Sequence, residues 1–210
     1  MVARGRTAAR LWSAALWVLV FAPAAALLVG ALTNGLGANP VETLELETGQ
    51  WALRLLLITL AATPLRRWTG WNVLLVHRRR LGLAAAGYAL LHLLSYAVVD
   101  QGLLWSQILA DVLKRPFITA GMAAFVLLLP LAATSFDAAI SRLGPRRWQR
   151  LHRLVYGATA VALLHFWWKV KADTREPAVY LLVFALLLAA RWWPAGRRSV
   201  RRPAGRRAPS

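Results

Sequence analysis

The chain has 210 residues, 59% of them hydrophobic, and carries 26 Lys and Arg against 8 Asp and Glu, a formal charge of +18. A soluble nucleic-acid binder can be as basic, but not together with 11 Trp and a mean hydropathy of +0.49; apolar spans joined by basic loops on one side of a bilayer account for both. Cysteine is absent, which excludes disulfides, thiolate metal sites, iron–sulfur clusters and covalently attached c-type haem, so metal chemistry falls to His, Asp or Glu.

In chain order, apolar runs at about 11–32, 50–66, 81–99, 116–136, 152–169 and 177–193 predict an all-α membrane protein, a bundle of six transmembrane helices. The first run follows three Arg but exceeds the roughly 7–15 apolar residues of a cleaved signal peptide, so it reads as a retained helix. The second, fifth and sixth reach spanning length only with flanking residues such as Gln50, His152, Arg153 and Pro177. Residues 1–194 thus read as one six-helix domain. Residues 195–210, rich in Arg, Pro and Gly, read as a basic, disordered cytoplasmic tail lying on anionic membrane lipid.

Charge orients the bundle. Segments placed with the termini hold 20 of the 26 cations, among them Arg66, Arg67, Arg78, Arg79, Arg80, Arg142, Arg146, Arg147, Arg150 and Arg153. The opposite segments hold Lys114, Arg115, Lys169, Lys171 and Arg175 with seven of the eight acids, so both termini are predicted to be cytoplasmic. Arg54, inside the second span, is expected to snorkel to its outer end.

Only four His occur, and a His inside the membrane is a functional candidate. His92 lies 12 residues beyond Arg80 and His165 lies 15 beyond Arg150. At about 1.5 Å per residue they stand roughly 18 and 22 Å from the cytoplasmic boundary, on helices entering from the same side. That placement suits a macrocycle clamped edgewise, with one axial imidazole on each face of its iron. His152, 13 residues before His165, marks an inner site for a second metal. On an ideal helix, however, the two rings stand roughly 140° apart, so two metals need different azimuths or a distorted helix. His77 is a further candidate ligand on depth alone, although it sits in an arginine run.

Tyr88 and Tyr96 flank His92, and Trp148 and Tyr156 flank His152, each four residues away. Arg78, Arg79 and Arg150 are candidate partners for the carboxylates of a haem. The string Gly35-Leu36-Gly37-Ala38-Asn39-Pro40 begins like a dinucleotide fingerprint but is expected to lie in the outer loop with no suitable helix after it. With no P-loop, nucleophile elbow or zinc-protease motif, and nearly no acid within the spans, the reading is electron transfer from a donor outside the chain.

Several strings then become recognisable: Gly49-Gln50-Trp51-Ala52-Leu53-Arg54, Thr63-Pro64-Leu65-Arg66, Arg78-Arg79-Arg80-Leu81-Gly82-Leu83, Leu91-His92, Lys114-Arg115-Pro116, Leu131-Ala132-Ala133-Thr134-Ser135, and the stretch from Trp148 to Tyr156. From about Gly35 to Trp168 the chain resembles the MsrQ (YedZ) family of the ferric-reductase-like transmembrane superfamily. The resemblance implies a b-type cytochrome of the bacterial inner membrane, with one or two haem b groups and His92, His152 and His165 associated with them. It implies a periplasmic molybdenum-containing partner, MsrP, that carries the site reducing methionine sulfoxide. It also implies FMN, or a cytoplasmic flavin reductase, as electron input; membrane quinol is the other donor class. Competing readings are a ferric reductase, against which stands the lack of an attached nucleotide-binding domain, a quinol-oxidising cytochrome b, and a non-redox transporter or scaffold.

Overall fold

The computed structural model describes residues 2–70, 72–170 and 172–192; the tail at 195–210, Trp193 and Lys171 lie outside the described residues. Among these residues the protein is all-helical: α1 (Val2–Leu32), α2 (Pro40–Thr69), α3 (Val73–Leu94), α4 (Trp105–Lys114), α5 (Pro116–Ala133), α6 (Asp137–Leu143), α7 (Pro145–Leu151), α8 (Leu154–Lys169) and α9 (Arg175–Trp192). A wider π-helical turn, Ser95–Asp100, continues α3. Three stretches are long and apolar enough to cross a membrane by themselves: Leu11–Leu32, Val73–Asp100 and Pro116–Ala133.

Several boundaries differ from the hydropathy reading, each for a local reason. α2 starts ten residues before the apolar run because Asn39 caps it. The Asn39 side chain accepts from the Glu42 N–H at 3.3 Å and donates to the Glu42 carboxylate at 2.9 Å, and Pro40 opens the first turn. Glu42, Glu45 and Glu47 are therefore helical rather than loop residues, and the Gly35–Pro40 string does run into a helix, though no described strand precedes it. α2 ends at Gly70, whose φ of +75° provides the left-handed cap that turns the chain into α3. α3 begins at Val73, so His77 and Arg78 to Arg80 are helical. The fifth run loses its two-residue extension: α7 ends at Leu151, His152 and Arg153 form a turn, and α8 runs unbroken from Leu154 to Lys169. α5 stops at Ala133, and the Trp148 indole N–H donates to the Thr134 carbonyl at 2.8 Å, satisfying that helix end.

α2 is the hub. It is apolar on most of its circumference through its middle, so it is buried there: Leu53, Leu55, Leu56, Leu57, Leu60 and Ala62 all lie in the core. It packs most extensively against α3, while α5 packs against α8, and Leu81, Ala85, Leu128, Val155, Leu163 and Phe184 complete the core. The outward faces remain apolar, with Val18, Phe21 and Leu28 on α1, Val126 on α5 and Leu182 and Leu186 on α9 all exposed, a surface suited to lipid. Arg54 turns toward the α2 N-terminus, where it pairs with Glu47 at 3.8 Å. Its guanidinium donates to Tyr180 at 2.8 Å and Gln50 at 2.5 Å, tying α2 to α9.

Candidate haem site

His92 stands in the last turn of α3, and His165 one turn before the end of α8. The structure brings their rings to 5.9 Å between centroids, inclined at 72°. Each is held from behind by a backbone carbonyl of a neighbouring helix: His92 Nδ1 lies 2.8 Å from the Glu45 oxygen on α2, and His165 Nδ1 lies 2.6 Å from the Phe117 oxygen on α5. A carbonyl only accepts, so a neutral imidazole in this position carries its proton on Nδ1 and keeps the lone pair on Nε2. Both rings line one cavity of about 330 Å³, walled by Leu53, Leu56, Phe125, Leu128 and Phe166, a volume within the roughly 300–1,000 Å³ of cofactor sites.

These residues fit a metal macrocycle. Imidazole nitrogen binds a transition metal at about 2 Å, and it lies about 1 Å from its ring centre, so two rings on opposite sides of one metal have centres about 6 Å apart. Among the described residues no group of three His, Cys, Asp or Glu side chains is placed to hold a bare ion, so the remaining coordination would come from the ring nitrogens of a porphyrin.

Cations and carboxylates close one end of the cavity, at the C-terminal end of α8. Lys169, one turn after His165, pairs with the Glu45 carboxylate at 3.4 Å, so Glu45 holds α8 by its side chain and His92 by its backbone. The Tyr96 hydroxyl donates to Asp111 of α4 at 3.1 Å, and Arg115 pairs with the same carboxylate at 3.0 Å. Arg115 and Lys169 are the cations lining this cavity. Arg78, Arg79 and Arg150 are not among its lining residues: Arg79 pairs with Asp137 at 2.5 Å, Arg150 is exposed on α7, and Arg78 stands beside Tyr156 and His152. Tyr88 also faces away from it, donating to the Val20 carbonyl of α1 at 2.6 Å.

His152 occupies a separate position, at the turn between α7 and α8. Its ring stacks on Trp148 at 3.8 Å, its Nδ1 lies 3.1 Å from the Trp148 carbonyl, and its Nε2 is buried with no hydrogen-bond partner among the described residues. The helix break at His152 removes the azimuthal constraint that an unbroken helix would place on it relative to His165. No second His faces it; Arg78 and the Leu131 backbone are its neighbours, and Arg78 in turn stands beside Tyr156, whose ring Arg191 covers. His77, half-buried on the first turns of α3, is not joined to any other His ring among the described residues.

Hydropathy and spacing missed the carbonyls behind the two rings, the Glu45–Lys169 pair and the Tyr96–Asp111–Arg115 cluster. Glycines inside apolar helices, Gly49 and Gly121, were the one signal available.

Apolar helices around a facing pair of backbone-anchored imidazoles make this a helical membrane protein with a candidate metal-macrocycle site. The sequence agrees: residues 48–163 match the family described as ferric reductase like transmembrane component. Among curated relatives, the protein-methionine-sulfoxide reductase heme-binding subunit MsrQ of Ralstonia nicotianae is 50% identical over 182 residues, 85% of this chain and 84% of the relative. The protein of the same name from Xanthomonas axonopodis pv. citri is 53% identical over 161 residues, 77% of this chain and 73% of the relative. The chain belongs to the MsrQ family of ferric-reductase-like transmembrane proteins. No solved structure matches it.

Proposed function

We propose that the chain is a b-type cytochrome subunit of the bacterial inner membrane, delivering electrons to a periplasmic molybdenum-containing methionine sulfoxide reductase of the MsrP type. In this reading α1, α2, α3, α5, α8 and α9 of the single domain 1–194 span the bilayer with both termini cytoplasmic. The observation that carries the reading is the His92–His165 pair, 5.9 Å apart with both Nδ1 atoms tied to carbonyls.

His92 and His165 would hold the haem iron through Nε2, and the haem would supply a one-electron redox centre. The Glu45 and Phe117 carbonyls fix each ring's tautomer and plane and strengthen its donation. Leu53, Leu56, Phe125, Leu128 and Phe166 exclude water from the cavity. Arg115 and Lys169 are placed to pair with haem carboxylates at the outer end, and the acids Glu42, Glu47 and Asp173 are assigned to docking the partner. His152, with Arg78, Arg79 and Arg150 on the same side, is assigned to electron entry, either at a second haem or near the donor, a flavin reductase or quinol. Because no second His faces His152, an inner haem would have a different ligand set from the outer one. FMN has no assigned residues here.

The test is a reduced-minus-oxidised visible spectrum of haem-replete membranes containing the protein. A b-type signal is expected, with one component abolished by His92→Ala and by His165→Ala and retained in His152→Ala. No b-type signal, or full retention in both outer variants, rejects the reading. Co-purification with the periplasmic reductase tests the partner.

A further inference from the structure

Glycine in a helix interior costs about 1 kcal/mol relative to alanine, so its presence asks for a local reason. Five such glycines lie on the four helices around the His pair: Gly49 on α2, Gly82 and Gly87 on α3, Gly121 on α5 and Gly157 on α8, and a Cβ at Gly82 would make only an ordinary contact, 3.9 Å from the Thr59 methyl. A Cβ at Gly87 or Gly157 meets nothing within 4 Å. At Gly49 it would stand 3.1 Å from His92 Nδ1 and 3.2 Å from Cε1; at Gly121 it would stand 2.9 Å from His165 Nδ1 and 3.0 Å from Cε1.

The register is the same in both places. The carbonyl that holds His92 belongs to Glu45, four residues before Gly49, and the one that holds His165 belongs to Phe117, four residues before Gly121. In a helix a carbonyl accepts the N–H of the residue four positions on, and its second lone pair is open to the side. Each Cα–Cβ bond tilts toward the helix N-terminus, so the side chain four residues on leans over that lone pair. With glycine there, an imidazole can lie flat against the helix backbone and reach the oxygen, and at Gly49 and Gly121 a Cβ would intrude on the ring that does so. The arrangement occurs twice, once in each of the two closely packed pairs, α2 with α3 and α5 with α8.

We propose that Gly49 and Gly121 are positioning residues for the two imidazoles: each opens one carbonyl to Nδ1–H of the facing His and so sets the depth and plane at which Nε2 is presented. This rests on the haem reading above. A methyl group at either position moves the ring outward by a few tenths of an ångström, lengthens the hydrogen bond and turns Nε2 out of line. Outer-shell partners of metal-binding His influence metal retention by roughly 10–100-fold, and the loss here falls in that range. The closer approach at Gly121 makes it the more sensitive position.

The experiment uses full-length protein in haem-replete membranes and then in detergent, comparing Gly49→Ala and Gly121→Ala with Gly87→Ala and Gly157→Ala. Low-spin ferric haem is measured by electron paramagnetic resonance, carbon monoxide binding by the ferrous form optically, and haem retention by transfer to apomyoglobin. Gly121→Ala is expected to lose most of the low-spin signal and bind carbon monoxide, Gly49→Ala to do so to a smaller extent, and both controls to match the parent protein. Parent protein without low-spin haem rejects the haem reading itself; parent protein with it, and both glycine variants unchanged, rejects the glycine proposal alone. If Gly121→Ala does not accumulate, the decisive comparison is Gly121→Ala combined with His165→Ala. Recovery to the level of His165→Ala supports the clash with the ring, and no recovery overturns it.

Discussion

Replacing Tyr88 by Phe removes one oxygen from a ring that is only 3% exposed and leaves its packing against Trp51 in place. That oxygen donates to the Val20 carbonyl at 2.6 Å and accepts from the Ala24 N–H at 3.0 Å. Val20 and Ala24 are four residues apart on α1, so the hydroxyl is inserted into a helical hydrogen-bond pair beside Pro23, and it fastens α1 to α3. If α1 closes its own ladder, the cost is two interhelical bonds at roughly 0.6 kcal/mol each, about 1 kcal/mol. If the Pro23 region holds the ladder open, the carbonyl and N–H stay unpaired, each worth about 1–3 kcal/mol, and the loss approaches the upper part of that range or beyond. Equilibrium unfolding in mixed micelles with increasing SDS measures the difference. Because Tyr88 does not line the His92–His165 cavity, the haem spectrum of Tyr88→Phe should equal that of the parent. Unchanged stability, or a spectral change without a stability change, refutes the assignment of Tyr88 as a brace for α1.

Lys169→Met strands the Glu45 carboxylate, whose side chain is 17% exposed, and should destabilise the bundle more than Glu45→Gln combined with Lys169→Met; a double-mutant cycle in the same titration should give a coupling of about 1–3 kcal/mol. Trp148→Phe keeps a ring against His152 but loses the bond to the Thr134 carbonyl, costing about 1 kcal/mol. Trp148→Ala removes both contacts and should alter any spectral component that His152→Ala removes. Arg79→Gln breaks a pair whose carboxylate is 88% exposed and should change stability by less than about 0.5 kcal/mol, with the difference shrinking further as salt is raised.

Much of the architecture can be read along the chain because solvent imposes it residue by residue. Each of the six expected spans falls in or largely overlaps a long helix, since hydrocarbon demands apolar side chains and saturated backbone hydrogen bonds over that length. What shifted was set by local polar chemistry: the Asn39 cap lengthened α2, and the turn at His152 and Arg153 trimmed the start of the fifth span. Depth is also one-dimensional, so counting residues from Arg80 and Arg150 places His92 and His165 at one level without any knowledge of packing. Azimuth is not. Tyr88 and Tyr96 stand at equal spacing on either side of His92, yet Tyr88 enters the backbone of α1 and Tyr96 bonds Asp111 on α4.

Composition, charge and spacing thus determined by themselves a membrane-embedded helical chain with two His at a common depth, because a bilayer reads hydropathy and distance along the helix axis. Tertiary structure alone decided that those rings meet at 5.9 Å, that the Glu45 and Phe117 carbonyls hold them, and that Arg115 and Lys169 line their cavity. These depend on how closely two helices approach and on how each is rotated. Such quantities are settled by contacts between distant residues, down to the missing Cβ atoms of Gly49 and Gly121.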